Sequence, residues 1–139
     1  MRYLIDTNIL IFALGNESHY IDKNVMAILS DADNTIYVSS SSVFEAINLY
    51  QTGRIDSSFK TVFDFIEAIN TGFSLKILHS KKEHFETFAK LPVIKGHNDP
   101  VDKTIIAQSI TEKIPLISSD GKFKEYKQLD FIFNDKNAR

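Results

Sequence analysis

The sequence predicts an α/β sandwich built on a mostly parallel sheet. Short apolar runs, too brief for helices, alternate along the chain with amphipathic segments of helical period. No tandem repeat or linker interrupts this order, so we expect one domain over residues 1–139, ending in a frayed polar tail at residues 134–139. A chain of 139 residues is long enough to bury one hydrophobic core.

Five apolar runs are predicted to be strands: residues 2–6, 35–38, 73–78, 115–118 and 129–133. The first run is typical of a strand buried on both faces of a parallel sheet. It ends at Asp6, and an acid at the end of a buried strand needs a partner.

Helices are predicted at residues 8–14, 22–31, 42–53, 57–70, 81–91 and 100–112, with a short helical segment near residues 121–126. Ser42 to Glu45 match a capping box, which makes Ser42 the expected N-cap of its helix. Asp99 followed by Pro100 is a strong signal for a helix start. Aromatic residues at helical spacing are expected to face the core; among them are Phe59, Phe63, Phe85 and Phe88.

Composition excludes several classes of protein. The chain has no Cys, so it can form neither a disulfide nor a zinc–thiolate site. Strand-like residues begin at Tyr3, which leaves no room for a signal peptide, and no apolar run approaches the length of a membrane helix. We therefore expect a cytoplasmic protein that does not enter the membrane.

Charge is unevenly distributed along the chain, although the net charge is only −2. Residues 1–70 carry four bases and nine acids, a balance of −5, whereas residues 71–139 carry twelve bases and nine acids, a balance of +3. A basic face beside an acidic centre would suit a phosphate-rich substrate. A lysine-rich solvated surface explains the same numbers.

Four acids are predicted to meet at one edge of the sheet. Asp6 and Asp120 follow predicted strands, and Glu45 and Asp102 fall in the first turns of helices that begin on that side. In parallel α/β sheets the active crevice lies beyond the carboxyl ends of the strands. The sequence therefore predicts an acidic pocket at this edge.

Each of these acids also has a structural explanation. Glu45 could complete a capping box, Asp99 could be an ordinary N-cap, Asp102 could favour the helix dipole, and Asp120 could be a turn residue. Four carboxylates together would nevertheless raise one another's pKa values unless a cation neutralised them. Mg²⁺ or Mn²⁺ suits such oxygen ligands, and a metal held there would serve phosphoryl chemistry.

The segments that carry these acids resemble the PIN-domain ribonucleases, and within them the VapC-type toxins of bacterial toxin–antitoxin pairs. Residues 4–8, Leu-Ile-Asp-Thr-Asn, look like the opening strand of that family. Residues 39–45 are similar to its Ser-x-x-Ser-x-Trp-Glu segment, and residues 119–123 to its Asp-x-x-Phe segment. The most specific match is residues 97–103, which are similar to His-x-Asp-Pro-Phe-Asp-Arg.

The resemblance implies a three-layer α/β/α sandwich whose five-stranded sheet has the order 3-2-1-4-5. It also implies RNA cleavage dependent on Mg²⁺ or Mn²⁺, and inhibition by a small antitoxin protein. By the motif match, Asp6, Asp102 and Asp120 are expected to hold metal, with Glu45 completing the site or orienting the attacking water. Asp99 carries over as a secondary site residue.

The sequence departs from the motifs at three positions. Phe44, Val101 and Lys103 stand where Trp, Phe and Arg are usual. Lys103 keeps the positive charge but lacks the planar fork through which Arg makes bidentate contacts.

Weaker candidates surround the four acids. Thr7, Asn8 and Ser119 are expected as secondary site residues. Three further residues are expected to contact substrate: His97, Lys103 and Lys122.

Two other functions fit the same acids. The chain could be a non-catalytic binding module, or a phosphohydrolase that acts through an aspartyl-phosphate at Asp6. Residues 49–53 and 59–69 are apolar; they favour core packing, or a homodimer or antitoxin surface. We expect a homodimer.

Overall fold

The computed structural model describes residues 1–55 and 58–137. One sheet contains five strands: β1 (Arg2–Ile5), β2 (Thr35–Ser39), β3 (Lys76–Leu78), β4 (Leu116–Ser118) and β5 (Phe131–Phe133). Neighbouring strands all pair in parallel, in the order β3-β2-β1-β4-β5. The predicted sheet order is confirmed, and β1 lies at its centre.

Six α-helices connect and cover the strands in the described ranges: α1 (Thr7–Leu14), α2 (Lys23–Ser30), α3 (Ser40–Gln51), α4 (Val62–Thr71), α5 (Lys82–Lys90) and α6 (Pro100–Glu112). Short 3₁₀ segments lie at Ser18–Tyr20, Gly72–Ser74 and Gly121–Glu125. Among the residues described, no helix combines the length and the apolar character needed to cross a membrane.

The core has one part on each face of the sheet, because side chains alternate along β1. Tyr3 and Ile5 pack with residues of α1, α2 and α4 on one face. Leu4 packs on the other face with Ile105 and Ile106 of α6. These two layers of apolar contacts give the three-layer α/β/α sandwich that the family resemblance implies.

The predicted start of α3 is wrong. The helix begins at Ser40, and the Ser39 hydroxyl accepts a hydrogen bond from the Ser41 backbone N–H at 3.2 Å. Ser39 is also the last residue of β2 and pairs with Leu78 in β3, so the chain turns into the helix directly after the strand. Ser42 is therefore buried inside the helix, and Glu45 lies in its second turn rather than in a capping box.

Helix α4 is shorter than predicted and presents a different face to the core. The predicted start at Ser57 lies outside the described residues, whereas α4 begins after Thr61, whose side chain caps the Asp64 N–H at 3.1 Å. Phe65 and Ile69 are buried, and Phe63 is 76% exposed, so its predicted inward position is wrong.

Helix α5 also buries a residue that the periodicity did not indicate. His84 is buried: its Nδ1 accepts the Lys81 backbone N–H at 3.0 Å, and its Nε2 lies 2.9 Å from Glu112 in α6. These two polar contacts fix the rotation of the helix and turn Phe85 outward, to 63% exposure, against the prediction.

The end of β5 is anchored rather than frayed at Asn134. This side chain is fully buried, accepts the Asp22 backbone N–H at 2.8 Å and donates to the Tyr20 carbonyl at 2.9 Å and the Ser119 hydroxyl at 2.7 Å. The predicted tail was thus wrong at its first residue, and its last two residues, 138 and 139, lie outside the described part.

Candidate active site

The carboxyl end of β1 delivers Asp6 to the edge of the sheet. Asp6 is buried, and its Oδ1 accepts the Ile9 backbone N–H at 2.9 Å, which makes it the N-cap of α1. The same carboxylate thus starts a helix and lines the pocket beyond the sheet. A cap of this kind explains why the chain enters α1 directly after the strand.

A polar pocket of about 220 Å³ lies over this edge. Three of the predicted acids line it together with one of the weaker candidates: Asp6, Glu45, Asp102 and Asp99. The predicted secondary residues Thr7 and Asn8, and the apolar Leu49, complete the lining. Residues of α1, α3 and α6, and the N-caps of α1 and α6, are thereby brought to one place.

Burial is the main reason for the raised pKa of Asp6. It raises the pKa of this carboxyl to about 6, although hydrogen bonds with the Ser118 side chain and the Ile9 backbone act in the opposite direction. The negative charges of Asp120 and Glu45 raise the pKa further. Asp6, Glu45 and Asp120 therefore interact electrostatically.

Asp102 is perturbed more strongly. Burial raises its pKa to about 7, and the charges of Asp99, Asp6, Glu45 and Asp120 contribute in that order. Asp102 is the third residue of α6, behind the N-cap Asp99, whose Oδ1 accepts the Val101 N–H at 2.8 Å. The predicted start of this helix is confirmed.

Asp120 follows β4 and caps the 3₁₀ segment that begins at Gly121. Its Oδ1 accepts the Lys122 backbone N–H at 2.9 Å, so the expected turn role is present. Its Oδ2 faces the buried ring of His97, whose Nε2 lies 3.7 Å away and 3.4 Å from Asp102 Oδ2. The three ligand atoms lie within 4.8 Å of one another.

Two further residues support the acids and were missed in the sequence. Ser118, the last residue of β4, hydrogen-bonds to Asp6 and accepts the Asp120 N–H at 3.0 Å. Because Ile5 pairs with Ile117, the next residues of the two strand segments, Asp6 and Ser118, lie side by side. Only the strand register could have indicated that Ser118 contacts Asp6. Tyr126 Oη lies 2.8 Å from Nδ1 of His97.

The other weak candidates have separate contacts. Ser119 is bound by Asn134 rather than by an acid of the pocket. The ammonium of Lys103 lies 4.9 Å from the centre of the Phe88 ring, and that of Lys122 donates to the Gly96 carbonyl at 3.1 Å. Neither lysine forms an ion pair with the acids.

Over residues 1–55 and 58–137, no Lys or Arg side chain lies within ion-pairing distance of the four acids. The hydroxyl of Thr7, in the lining of the pocket, is buried without a hydrogen-bond partner in this part of the chain. Clustered carboxylates, two of them with raised pKa values and none paired with a described Lys or Arg, fit a divalent cation held by oxygen ligands. The predicted metal ligands Asp6, Asp102 and Asp120 have the chemistry for such an ion.

The sequence profile of the PIN domain matches residues 3–129. The chain belongs to the PIN-domain family. A comparison with curated protein sequences finds no significant match.

Solved structures with the same fold include toxin–antitoxin proteins. VapBC2 from Rickettsia felis, bound to a DNA fragment from its promoter, has a TM-score of 0.70 at 21% identity, covering 97% of this chain and 100% of that chain. VapBC-1 from nontypeable Haemophilus influenzae has a TM-score of 0.69 at 17% identity, covering 96% and 98%. VapC20 from Mycobacterium tuberculosis, a toxin that cleaves the sarcin-ricin loop, has a TM-score of 0.63 at 16% identity, covering 92% and 97%. The fold of this PIN domain is therefore that of the VapC proteins.

Proposed function

We propose that this PIN domain is a metal-dependent endoribonuclease, the toxin of a bacterial toxin–antitoxin pair that acts in the cytoplasm. The observation that carries the proposal is the group of acids at the sheet edge, with pKa values of about 6 for Asp6 and about 7 for Asp102 and no Lys or Arg paired with them among the described residues. The likeness in fold to a toxin that cleaves the sarcin-ricin loop supports RNA as the substrate class.

Asp6, Asp102 and Asp120 would hold Mg²⁺ or Mn²⁺, and Glu45 would orient the attacking water from α3. A divalent cation there supplies Lewis-acid polarisation of the phosphoryl oxygen and a lowered pKa for bound water. Asp6 is fixed for this role by the Ile9 and Ser118 hydrogen bonds. Lys103 and Lys122 carry positive charge on the two segments that follow Asp102 and Asp120, where they would attract the phosphates of RNA.

Replacing Asp6 with Asn should lower Mg²⁺- or Mn²⁺-dependent cleavage of whole cellular RNA by at least about 100-fold, because the neutral amide removes a ligand charge while keeping the shape of the side chain. RNA ends mapped after induction of the protein, and cleavage of purified RNA in vitro, measure the effect. The growth arrest caused by the toxin should disappear in the same variant.

Asp33→Asn is the matched control, since Asp33 is exposed in the turn before β2 and lies outside the pocket. It should cleave RNA at the wild-type rate. Cleavage by Asp6→Asn at that rate would refute the site assignment. No cleavage by the wild-type protein with either metal would instead favour a non-catalytic binding module.

We also propose an antitoxin partner and a homodimer. The solved relatives include VapBC complexes and FitAB from Neisseria gonorrhoeae, which supports the partner. Phe44 on α3 is 75% exposed and Phe85 on α5 is 63% exposed. Such exposed aromatic side chains support an apolar interface with the antitoxin or with a second copy of the chain. Suppression of the growth arrest by the product of a short neighbouring gene tests the partner. The mass in solution tests the dimer, and a monomer at micromolar concentration would contradict it.

A further inference from the structure

His97 lies in the loop before α6 and is aimed at two of the site carboxylates. Its side chain is 4% exposed, and its Nε2 has no hydrogen-bond partner in the part of the chain that the structure describes. This nitrogen lies 3.4 Å from Asp102 Oδ2 and 3.7 Å from Asp120 Oδ2. Burying a ring nitrogen without a partner costs free energy, so its position needs an explanation.

The ring is held firmly in this orientation. Nδ1 lies 2.8 Å from Tyr126 Oη, and the ring packs edge-on against Phe123 and Tyr126, with centroids 5.2 and 5.4 Å away. The His97 backbone N–H donates to the Ile94 carbonyl at 3.0 Å. When Nδ1–H donates to Tyr126 Oη, the lone pair of Nε2 faces the two carboxylates, and this is the tautomer that a metal ligand requires.

The distances from His97 Nε2 to the two carboxylate oxygens suit a shared ion. Two ligands about 2.1 Å from a shared cation lie about 3.0 Å apart at a right angle and about 4.2 Å apart when opposite. The distances from Nε2 to the two carboxylate oxygens, 3.4 and 3.7 Å, fall between these limits. Each of these two distances is therefore compatible with a cation shared by His97 and that carboxylate.

We propose that His97 is a nitrogen ligand of the metal site, together with Asp102 and Asp120, and that Tyr126 is its positioning residue. This inference rests on the proposed function, since it concerns a cation at the same acidic edge. An imidazole nitrogen is a better ligand for Mn²⁺ than for Mg²⁺, which prefers oxygen. The site therefore selects Mn²⁺ over Mg²⁺.

The competing explanation is that His97 is protonated and acts as a fixed counter-charge for the two carboxylates. In that case both ring nitrogens carry protons and no nitrogen is available to a metal. The two explanations differ in whether a bound Mn²⁺ has nitrogen in its coordination sphere.

Electron spin-echo measurements on Mn²⁺ bound to the purified full chain distinguish them. The wild-type protein should show ¹⁴N coupling that changes to ¹⁵N coupling after labelling with ¹⁵N-histidine, a result that needs no variant. The coupling should be absent in His97→Asn and present in His84→Gln, a control that replaces a buried His whose two ring nitrogens already have partners.

Titration calorimetry with Mn²⁺ or Mg²⁺ alone gives the second readout. His97→Asn should lower the Mn²⁺-to-Mg²⁺ affinity ratio at least tenfold, and Tyr126→Phe should weaken Mn²⁺ binding about tenfold while keeping the ¹⁴N coupling. RNA cleavage and Mn²⁺ binding without nitrogen coupling would overturn this inference alone. A wild-type protein that binds neither metal and cleaves no RNA would overturn the proposed function as well.

Discussion

At the level of single residues, Asp6 and Asp102 show how hydrogen bonds compete with burial. Asp6 is 5% exposed and Asp102 has a side chain that is 28% exposed, yet the pKa is about 6 for Asp6 and about 7 for Asp102. The hydrogen bonds to Asp6 from Ser118 and Ile9 stabilise its charged form. At Asp102, burial and the negative charges of four neighbouring carboxylates all raise the pKa. A bound cation would therefore relieve more unfavourable electrostatic energy at Asp102 than at Asp6.

The Asp102→Asn variant should therefore be more stable than the wild type at pH 8 when chelator is present. The raised pKa means that the folded protein binds more protons than the unfolded chain between about pH 4 and pH 7, so stability falls as pH rises through that range. Removing the charge should raise the free energy of unfolding by roughly 1–3 kcal/mol at pH 8 and leave it almost unchanged at pH 4.

Urea unfolding at the two pH values with chelator measures this difference. Addition of Mn²⁺ should stabilise the wild type more than the variant, because binding to the folded state adds to its stability. An Asp102→Asn protein that is less stable than the wild type at pH 8 without metal would contradict the electrostatic account.

At the level of elements, the start of α6 combines a helix cap with the acidic pocket. Asp99 accepts the Val101 N–H at 2.8 Å, and its negative charge is the largest charge contribution to the raised pKa of Asp102. The helix start thus places two carboxylates, Asp99 and Asp102, in the lining of the pocket. Two substitutions separate the contribution of the Asp99 hydrogen bond from that of its charge.

Asp99→Asn should keep the free energy of unfolding within about 0.5 kcal/mol of the wild type, because Asn caps helices about as well as Asp. It should lower RNA cleavage less than tenfold, which is the expectation for a cap that is not a metal ligand. Asp99→Ala should cost about 1 kcal/mol of stability through the lost cap. A loss of cleavage in Asp99→Asn equal to that in Asp6→Asn would show that Asp99 is a ligand.

At the level of the whole molecule, Asn134 joins parts that are distant in sequence. Its side chain connects the end of β5 with the Tyr20 carbonyl, the Asp22 N–H at the start of α2 and the Ser119 hydroxyl after β4. The Asp135 N–H also donates to Asp22 at 2.9 Å. This network holds α2 and the segment after β4, which carries Asp120, in a fixed relation.

Asn134→Ala should destabilise the fold by roughly 2–4 kcal/mol, because it leaves several buried polar groups without partners. Asn16→Ala, at an exposed position after α1, should change stability by less than about 0.5 kcal/mol. Urea midpoints with unchanged slopes give both values. If the two variants were equally stable, the buried network would not contribute as described.

The sequence alone determined the alternation of strands and helices, the Asp99 cap and the edge at which Asp6 emerges. These features depend on local periodicity and on end signals a few residues long. Local periodicity did not determine which face of a helix is buried. Phe63 and Phe85 fit the apolar period, yet both are exposed, while Phe65 and His84 near them in the chain are buried.

Only the tertiary structure decided which side chains meet across the chain. The place of Glu45 followed from β2 continuing to Ser39, and the contact of Ser118 with Asp6 followed from the register of β1 and β4. The approach of Tyr126 to His97 joins two segments 29 residues apart. Such contacts depend on strand register and helix rotation, which are set by packing of the whole domain rather than by the residues nearby in sequence.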